Sequence, residues 1–387
     1  MILKTFRIYK SYEELPEAWD DLVGHDIFLQ ANYLEALENA TPNNIQLFYI
    51  GVFKKDMLVG IAIIQRVQFY LKDMFRKNTM SYIKELFREI VSRVLKGNVL
   101  VIGNLMHTGQ HALYYNDSQI VQADFFNTLF QGLDELIQTI KKKHDKKIRA
   151  IIAKDFFTDD IILEDKSTFR NHKLHEVIVQ PNMILPLRDH WHTNKDYINT
   201  LNKKYRDRYK RAKKKFGAIT SKELDIDSIH EKSKTLHELY LNVSNNAKFN
   251  TFILPENHFY SLKLKLNDNF KVFGYFLNKD LIGFYTLIIN GKQLETYFLG
   301  YDEEHQYPNQ LYLNMLYDML EFGIINRFSN VVYARTAMAI KSSVGAKAKP
   351  MVLYMKHTNV LMNSILRPIF FLMNPKQDWE ERHPFKT

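Results

Sequence analysis

The chain has 387 residues, 46% of them hydrophobic, and a net charge of +10, which suits two or three cored domains and excludes a disordered or low-complexity chain. It has no cysteine, which excludes a disulfide scaffold, a thiolate-ligated metal site and cysteine nucleophile chemistry. No Walker A, GxGxxG, GxSxG or HExxH pattern occurs, so the phosphate-loop, dinucleotide, serine-hydrolase and zincin chemistries are set aside.

The first 21 residues lack the apolar core of a secretory signal. No apolar run reaches the ~18 residues of a membrane span, so the expected location is the cytoplasm. Residues 13–38 read as two helical pieces around a link at 25–30. Residues 46–53 and 57–66 are β-branched, apolar runs separated by Lys54, Lys55 and Asp56, which is a hairpin signal. Residues 72–95 have the apolar stripe of an amphipathic helix, read as an insertion covering a groove. A buried strand is expected at 98–103. The polar loop after it places His107, Gly109 and His111 to line a substrate cleft. No third ligand accompanies those histidines, so a metal site is not expected. A helix at 125–144 and a strand at 149–156 close the first cycle.

A second cycle begins near 185. Residues 194–216 read as one long basic helix and 229–247 as another. Runs 270–277 and 281–290 form a hairpin, 293–300 a strand, 309–325 a helix and 330–334 a strand. A short helix at 340–344 ends at Gly345, and 351–356 is a last strand. GVFKKDMLVGIAII at Gly51 and GYFLNKDLIGFYTLI at Gly274 share one pattern: hairpin, charged turn, apolar-Gly-apolar. A duplicated α+β chain is the simplest account, with the boundary near 180–189. The expected domains are 1–184, with a helical insertion near 70–96, and 185–387.

Five pieces then carry a family resemblance: FLQANYLEAL at Phe28, LIGFYTLI at Leu281, TYFLGYD at Thr296, NQLYLNMLYDML at Asn309 and YARTAMAIKSSVGAK at Tyr333. Together they resemble the GNAT acyltransferases, in the Fem-like or "predicted N-acyltransferase" group with two GNAT-like domains in tandem. The resemblance implies an α/β (α+β) fold, each domain a mixed, mostly antiparallel sheet flanked by helices. It implies an N-acyltransferase whose second half carries the chemistry while the first shapes the cleft. The implied co-substrate is an acyl-CoA or acyl-carrier-protein thioester, with no metal. The acceptor is an amine on an amino acid, aminolipid or cell-envelope precursor. Aminoacyl-tRNA-dependent transfer, and a non-catalytic module binding lipid or nucleic acid, stand as alternatives. Ordinary GNATs cradle the CoA pyrophosphate in a glycine-containing turn. The matching stretch here, YDEEHQYPNQ at 301–310, has no glycine and three carboxylates.

Candidate catalytic residues follow from strand geometry and chemistry. Glu295 and Tyr297 are two apart on one strand and share a face; Glu295 is a base for the attacking amine, or else a strand glutamate on a solvated face. Tyr297, Tyr333 and Tyr354 are acids for the leaving group, or else packing residues. Asp302 and His305 are an orienting carboxylate and base, or else an exposed acidic loop. The amides of Asn309, Gln310, Leu311 and Tyr312 are left to bind an anion at a helix start. Arg335 and Lys341, following a buried strand, are ligands for a carboxylate or phosphate.

Nine basic residues and one acid lie between Lys203 and Phe216, so this segment supplies +8 of the +10. Ile198, Leu201, Tyr205, Tyr209, Ala212 and Phe216 form an apolar seam that turns the charge outward. Lys203, Lys204, Arg206, Lys210, Arg211 and Lys214 then present an anion-binding face. An acyl carrier protein, an anionic membrane surface or a substrate phosphate fits that face. No recognisable nucleic-acid fold accompanies it. The apolar segment 360–373, broken by Arg367 and Pro368, reads as a packing segment, with peripheral contact at the inner membrane face as the alternative.

Overall fold

The computed structural model describes residues 4–69, 97–246, 250–365 and 379–386. The expected helix at 72–95 lies outside them, as does 366–373 of the apolar C-terminal segment. The chain divides into two compact units. One comprises residues 1–179, 248–253 and 350–376; the other comprises 180–247, 254–349 and 377–387.

The first unit is built on strands β1 (Lys4–Tyr9), β2 (Ile45–Lys54), β3 (Met57–Phe69), β4 (Gly97–Ile102), β5 (Leu113–Tyr115) and β6 (Ile148–Phe157). Its last strand is β13 (Lys347–His357), supplied from the far end of the chain. The order is β1-β2-β3-β4-β6-β13, with β5 beside β3. Every neighbour is antiparallel except β4 and β6, which run parallel. The β2–β3 turn needs only Lys55 and Asp56, both at positive φ, as a tight hairpin turn that follows the strand twist requires. Helix Gln122–His144 lays Phe126, Phe130, Leu133 and Ile140 on the sheet, one buried stripe at helical spacing.

The second unit repeats this plan. Its strands are β7 (His175–Pro186), β8 (Thr220–Glu223), β9 (Phe270–Leu277), β10 (Asp280–Asn290), β11 (Gln293–Tyr301) and β12 (Asn330–Val332). The order β8-β9-β10-β11-β12-β7 is antiparallel throughout except for parallel β11 and β12. The internal echo in sequence is therefore an echo in topology. Helix Leu311–Ile325 is buried on nearly every side, which its run of Leu, Met, Tyr and Ile dictates. Helix Ser233–Asn245 crosses β11 at Gly300, where a Cβ would stand 2.5 Å from Leu239 C and Tyr240 N.

Several expected elements differ. The basic helix is two helices, Asn194–Thr200 and Lys203–Phe216, because Leu201 leaves helical geometry and Asn202 caps the second by accepting from Tyr205 N. The segment read as one helix over 229–247 is likewise two, Ile226–Glu231 and Ser233–Asn245. The short helix near Gly345 spans Met338–Ser342. Strands β1, β7 and β8 and helix His258–Leu266 were not anticipated. In the apolar C-terminal segment, Asn363 is buried while Val360 and Leu361 are exposed.

Candidate functional site

The site is a parting of two strands in the second unit. β11 pairs with β12 only over Gln293–Glu295 and Asn330–Val332. β12 then ends, while β11 runs on to Tyr301 with β10 on its other side. The β10–β11 register slips between Tyr285 and Leu287. The slip is fixed by the buried Thr286, whose hydroxyl donates to Phe298 O (2.7 Å) and accepts from Phe298 N (3.0 Å). Among the described residues no strand covers 296–301 on the β12 side. Where two parallel strands part, the backbone of the longer one continues without its strand neighbour, and backbone N–H groups are the donors an anionic oxygen needs.

Glu295 sits at the last paired position and is 5% exposed. Two residues on, the Tyr297 hydroxyl meets Nε2 of the fully buried His258 at 3.0 Å. Sequence reasoning missed His258. It lies in an unassigned stretch, and only the helix His258–Leu266 carries it to the strand.

The loop leaving β12 is strained. Ala334, Thr336 and Ala337 all have positive φ, which costs on the order of 1–3 kcal/mol each and persists where function or packing imposes it. This loop holds Arg335, and the next short helix holds Lys341. Lys341 is 5% exposed, and Nζ donates to Ala334 O (3.3 Å) and Arg335 O (2.5 Å). No carboxylate lies within ion-pair distance among the described residues, and burial alone pushes its pKa down to about 7. Burial likewise lowers Arg335 to about 10.

The remaining candidates divide. The hydroxyls of Tyr333 and Tyr354 are engaged: Tyr333 donates to Leu316 O (2.7 Å), and Tyr354, in the first unit, donates to Glu176 (2.7 Å). Asp302 and His305 do not pair. Asp302 caps its own short helix at Glu304 N (2.9 Å), and His305 Nδ1 meets Asn309 Oδ1 at 3.2 Å. At the head of helix Leu311–Ile325, two of the four amides are already used: Asn309 N donates to His305 O, and Tyr312 N to Gln306 Oε1 (2.9 Å). Gln310 takes a left-handed φ of 51°, and Leu311 is fully buried. Asn309 and Asn314 reach back to the carbonyls of Lys215 and Ala212, tying this turn to the end of the basic helix. On that helix Lys203, Lys204, Lys210, Arg211 and Lys214 are exposed, Arg206 is half-buried, and Lys213 is paired with Asp318.

In the first unit, His107, Gly109 and His111 belong to a polar cluster. His107 Nδ1 meets the Tyr33 hydroxyl (3.1 Å), His111 Nδ1 meets Asp26 (2.6 Å), and Gly109 N donates to Asp155 (3.2 Å). Gly109 has φ +130°, and a Cβ there would stand 2.8 Å from the His111 ring.

No family model and no curated sequence matches the chain. Solved structures do. FemX aligns over 95% of this chain and 100% of its own, at TM-score 0.56 and 12% identity. A tandem GNAT protein from the clavulanic acid biosynthesis pathway aligns over 92% and 99%, at TM-score 0.50 and 10% identity. The chain has a GNAT-like fold. The C-terminal domain assigned to a lysylphosphatidylglycerol synthetase from Agrobacterium fabrum shares it, over 94% of this chain and 96% of its own, at TM-score 0.51 and 10% identity. The two units share one strand order, and the parted strands described above lie in the second.

Proposed function

We propose that the second unit transfers an acyl group from an activated ester or thioester to an amine, at the opening between β11 and β12. The observation that carries this reading is Lys341, buried with no acid partner among the described residues and a pKa lowered to about 7 by burial, beside a strained loop where the strands part. The amine attacks the acyl carbonyl, and a backbone N–H of the open β11 stretch holds the oxyanion. Glu295 accepts the amine's proton. Lys341, half protonated at neutral pH, supplies the proton that leaves with the thiol or alcohol. The amide bond forms as the ester or thioester bond breaks.

An aminoacyl ester donor is the second reading, and one feature favours it. Gln306 caps the helix start that would hold a CoA pyrophosphate, and Asp302, Glu303 and Glu304 stand beside it. The exposed basic helix is the remaining place for a donor's phosphates, and it fits a carrier protein or anionic membrane patch equally by charge. Charge reversal of Lys210, Arg211 and Lys214 should then raise the donor's KM and flatten its salt dependence.

The test is to incubate the purified chain with long-chain acyl-CoA, acetyl-CoA or aminoacyl-tRNA and a cell extract as amine source. Mass spectrometry then reads new amides. Amides that depend on Lys341 and Glu295 are expected, with K341M and E295Q each slower by about 100-fold or more. Equal amide formation by both variants, or none with any donor, refutes the reading.

A further inference from the structure

The first unit contains a cavity of about 330 Å³ that the transfer chemistry does not use. Its walls are helix Gln122–His144, the turn at 172–173 before β7, and the end of β13 with the turn that follows. His172, Lys173, Lys356 and His357 line it, against one carboxylate, Asp134. Lys147 and Arg149, at the start of β6, add positive potential at His357.

Lys356 is the informative residue. Its ammonium lies over the Phe130 ring, 4.8 Å from the centroid. It makes no hydrogen bond or ion pair among the described residues, and Asp134 stands beyond ion-pair distance. Among the described residues this half-buried charge meets only a ring face, a contact that leaves its three N–H donors available to a ligand. Burial holds its pKa below the ordinary lysine value, with Asp134 opposing and Lys173 reinforcing. His172 stacks on the same Phe130 ring at 4.1 Å, and its Nε2 meets Asn127 Oδ1 at 2.9 Å.

The backbone of the walls is tied together, which fixes the positions from which the cations project. Buried Asn363 donates to Lys173 O (3.0 Å), accepts from His357 N (2.8 Å) and presents its own carbonyl to His175 Nε2 (3.1 Å). Thr358 Oγ1 donates to Ile148 O at 2.8 Å. His357 Nδ1 accepts from Asn359 N (2.9 Å), which makes Nε2 the proton-bearing nitrogen of the neutral ring.

We propose that this cavity binds a small organic phosphate, with Lys356, Lys173 and His357 Nε2–H as its donors and Ile137, Ile151 and Val360 against its organic body. Lysines act as point-charge phosphate binders, and two of them with an imidazole N–H suit the two negative charges and several acceptor oxygens of a phosphate monoester. The volume is at the small end of ligand pockets, so the ligand is well below the size of a nucleotide cofactor.

Phenyl phosphate titrated calorimetrically into the full chain tests this, with circular dichroism confirming that each variant folds. One saturable site is expected. K356M should weaken binding by about tenfold or more, and D134N should tighten it. K341M and the charge-reversed K210E/R211E/K214E chain should bind as wild type, which separates this site from the transfer site and the basic helix. If K356M fails to fold, D134N on the exposed helix face carries the test. No saturable binding below about 10 mM, binding unaltered by both K356M and D134N, loss of binding in the basic-helix variant, or equal affinity for benzoate would each overturn the proposal.

Discussion

Replacing Lys341 by methionine tests the electrostatic basis of the site separately from any activity. The folded pKa is about 7 against an ordinary 10.5, so the unfolded chain binds the proton more tightly. Between these values the unfolded state carries more protons, and wild-type stability must rise with pH across that window. The gap, at about 1.4 kcal/mol per pH unit, amounts to about 5 kcal/mol. It is fully expressed below pH 7 and absent above about 10.5. Two carbonyls are the only polar contacts of Nζ among the described residues, and they offset little of it. From pH 7 to 9 the wild type should gain about 2 kcal/mol relative to K341M, which has no group to titrate. Urea unfolding of both proteins at matched pH from 6 to 9 measures this, since other titrations cancel in the difference. A difference that stays flat within about 0.5 kcal/mol would refute the burial argument.

Three further substitutions probe the frame of the site. Gly300→Ala forces a methyl group against the backbone of Leu239 and Tyr240, and should cost about 3 kcal/mol in chemical denaturation. Asn202→Ala removes the cap between the two basic-region helices and should cost about 1 kcal/mol, read the same way. Tyr297→Phe deletes the hydroxyl that meets buried His258 and should cost about 1 kcal/mol; unchanged stability would mean that water replaces the contact.

Much of the frame is legible in the sequence because it rests on short-range pattern. The two hairpins show as apolar runs around charged turns, and helix Gln122–His144 shows as a stripe. What escapes the pattern does so for identifiable reasons. β8 is exposed along its whole length and carries no apolar signal. β7 contains Pro181 and Pro186, which read as interruptions. The break at Leu201–Asn202 falls inside unbroken helical periodicity, and only the capping preference of asparagine hints at it. At the site, the position of Lys341 after a buried strand is readable. Its burial is not, because burial depends on which distant segments cover it. The His258–Tyr297 contact and the Lys356 cavity each join residues far apart in sequence, and no local rule connects them.

Each unit takes in a strand from a distant part of the chain: β13 pairs with β6 in the first, and residues 180–186 of β7 pair with β12 in the second. Synthesis on the ribosome runs from the N-terminus, so β6 emerges long before its neighbour β13, with the whole intervening stretch from Phe157 to Lys347 still to be made. Until then the growing chain presents an apolar strand edge of the kind that invites wrong pairing. The first unit cannot finish folding in order of synthesis, and neither unit can be expressed as one uninterrupted stretch of the gene.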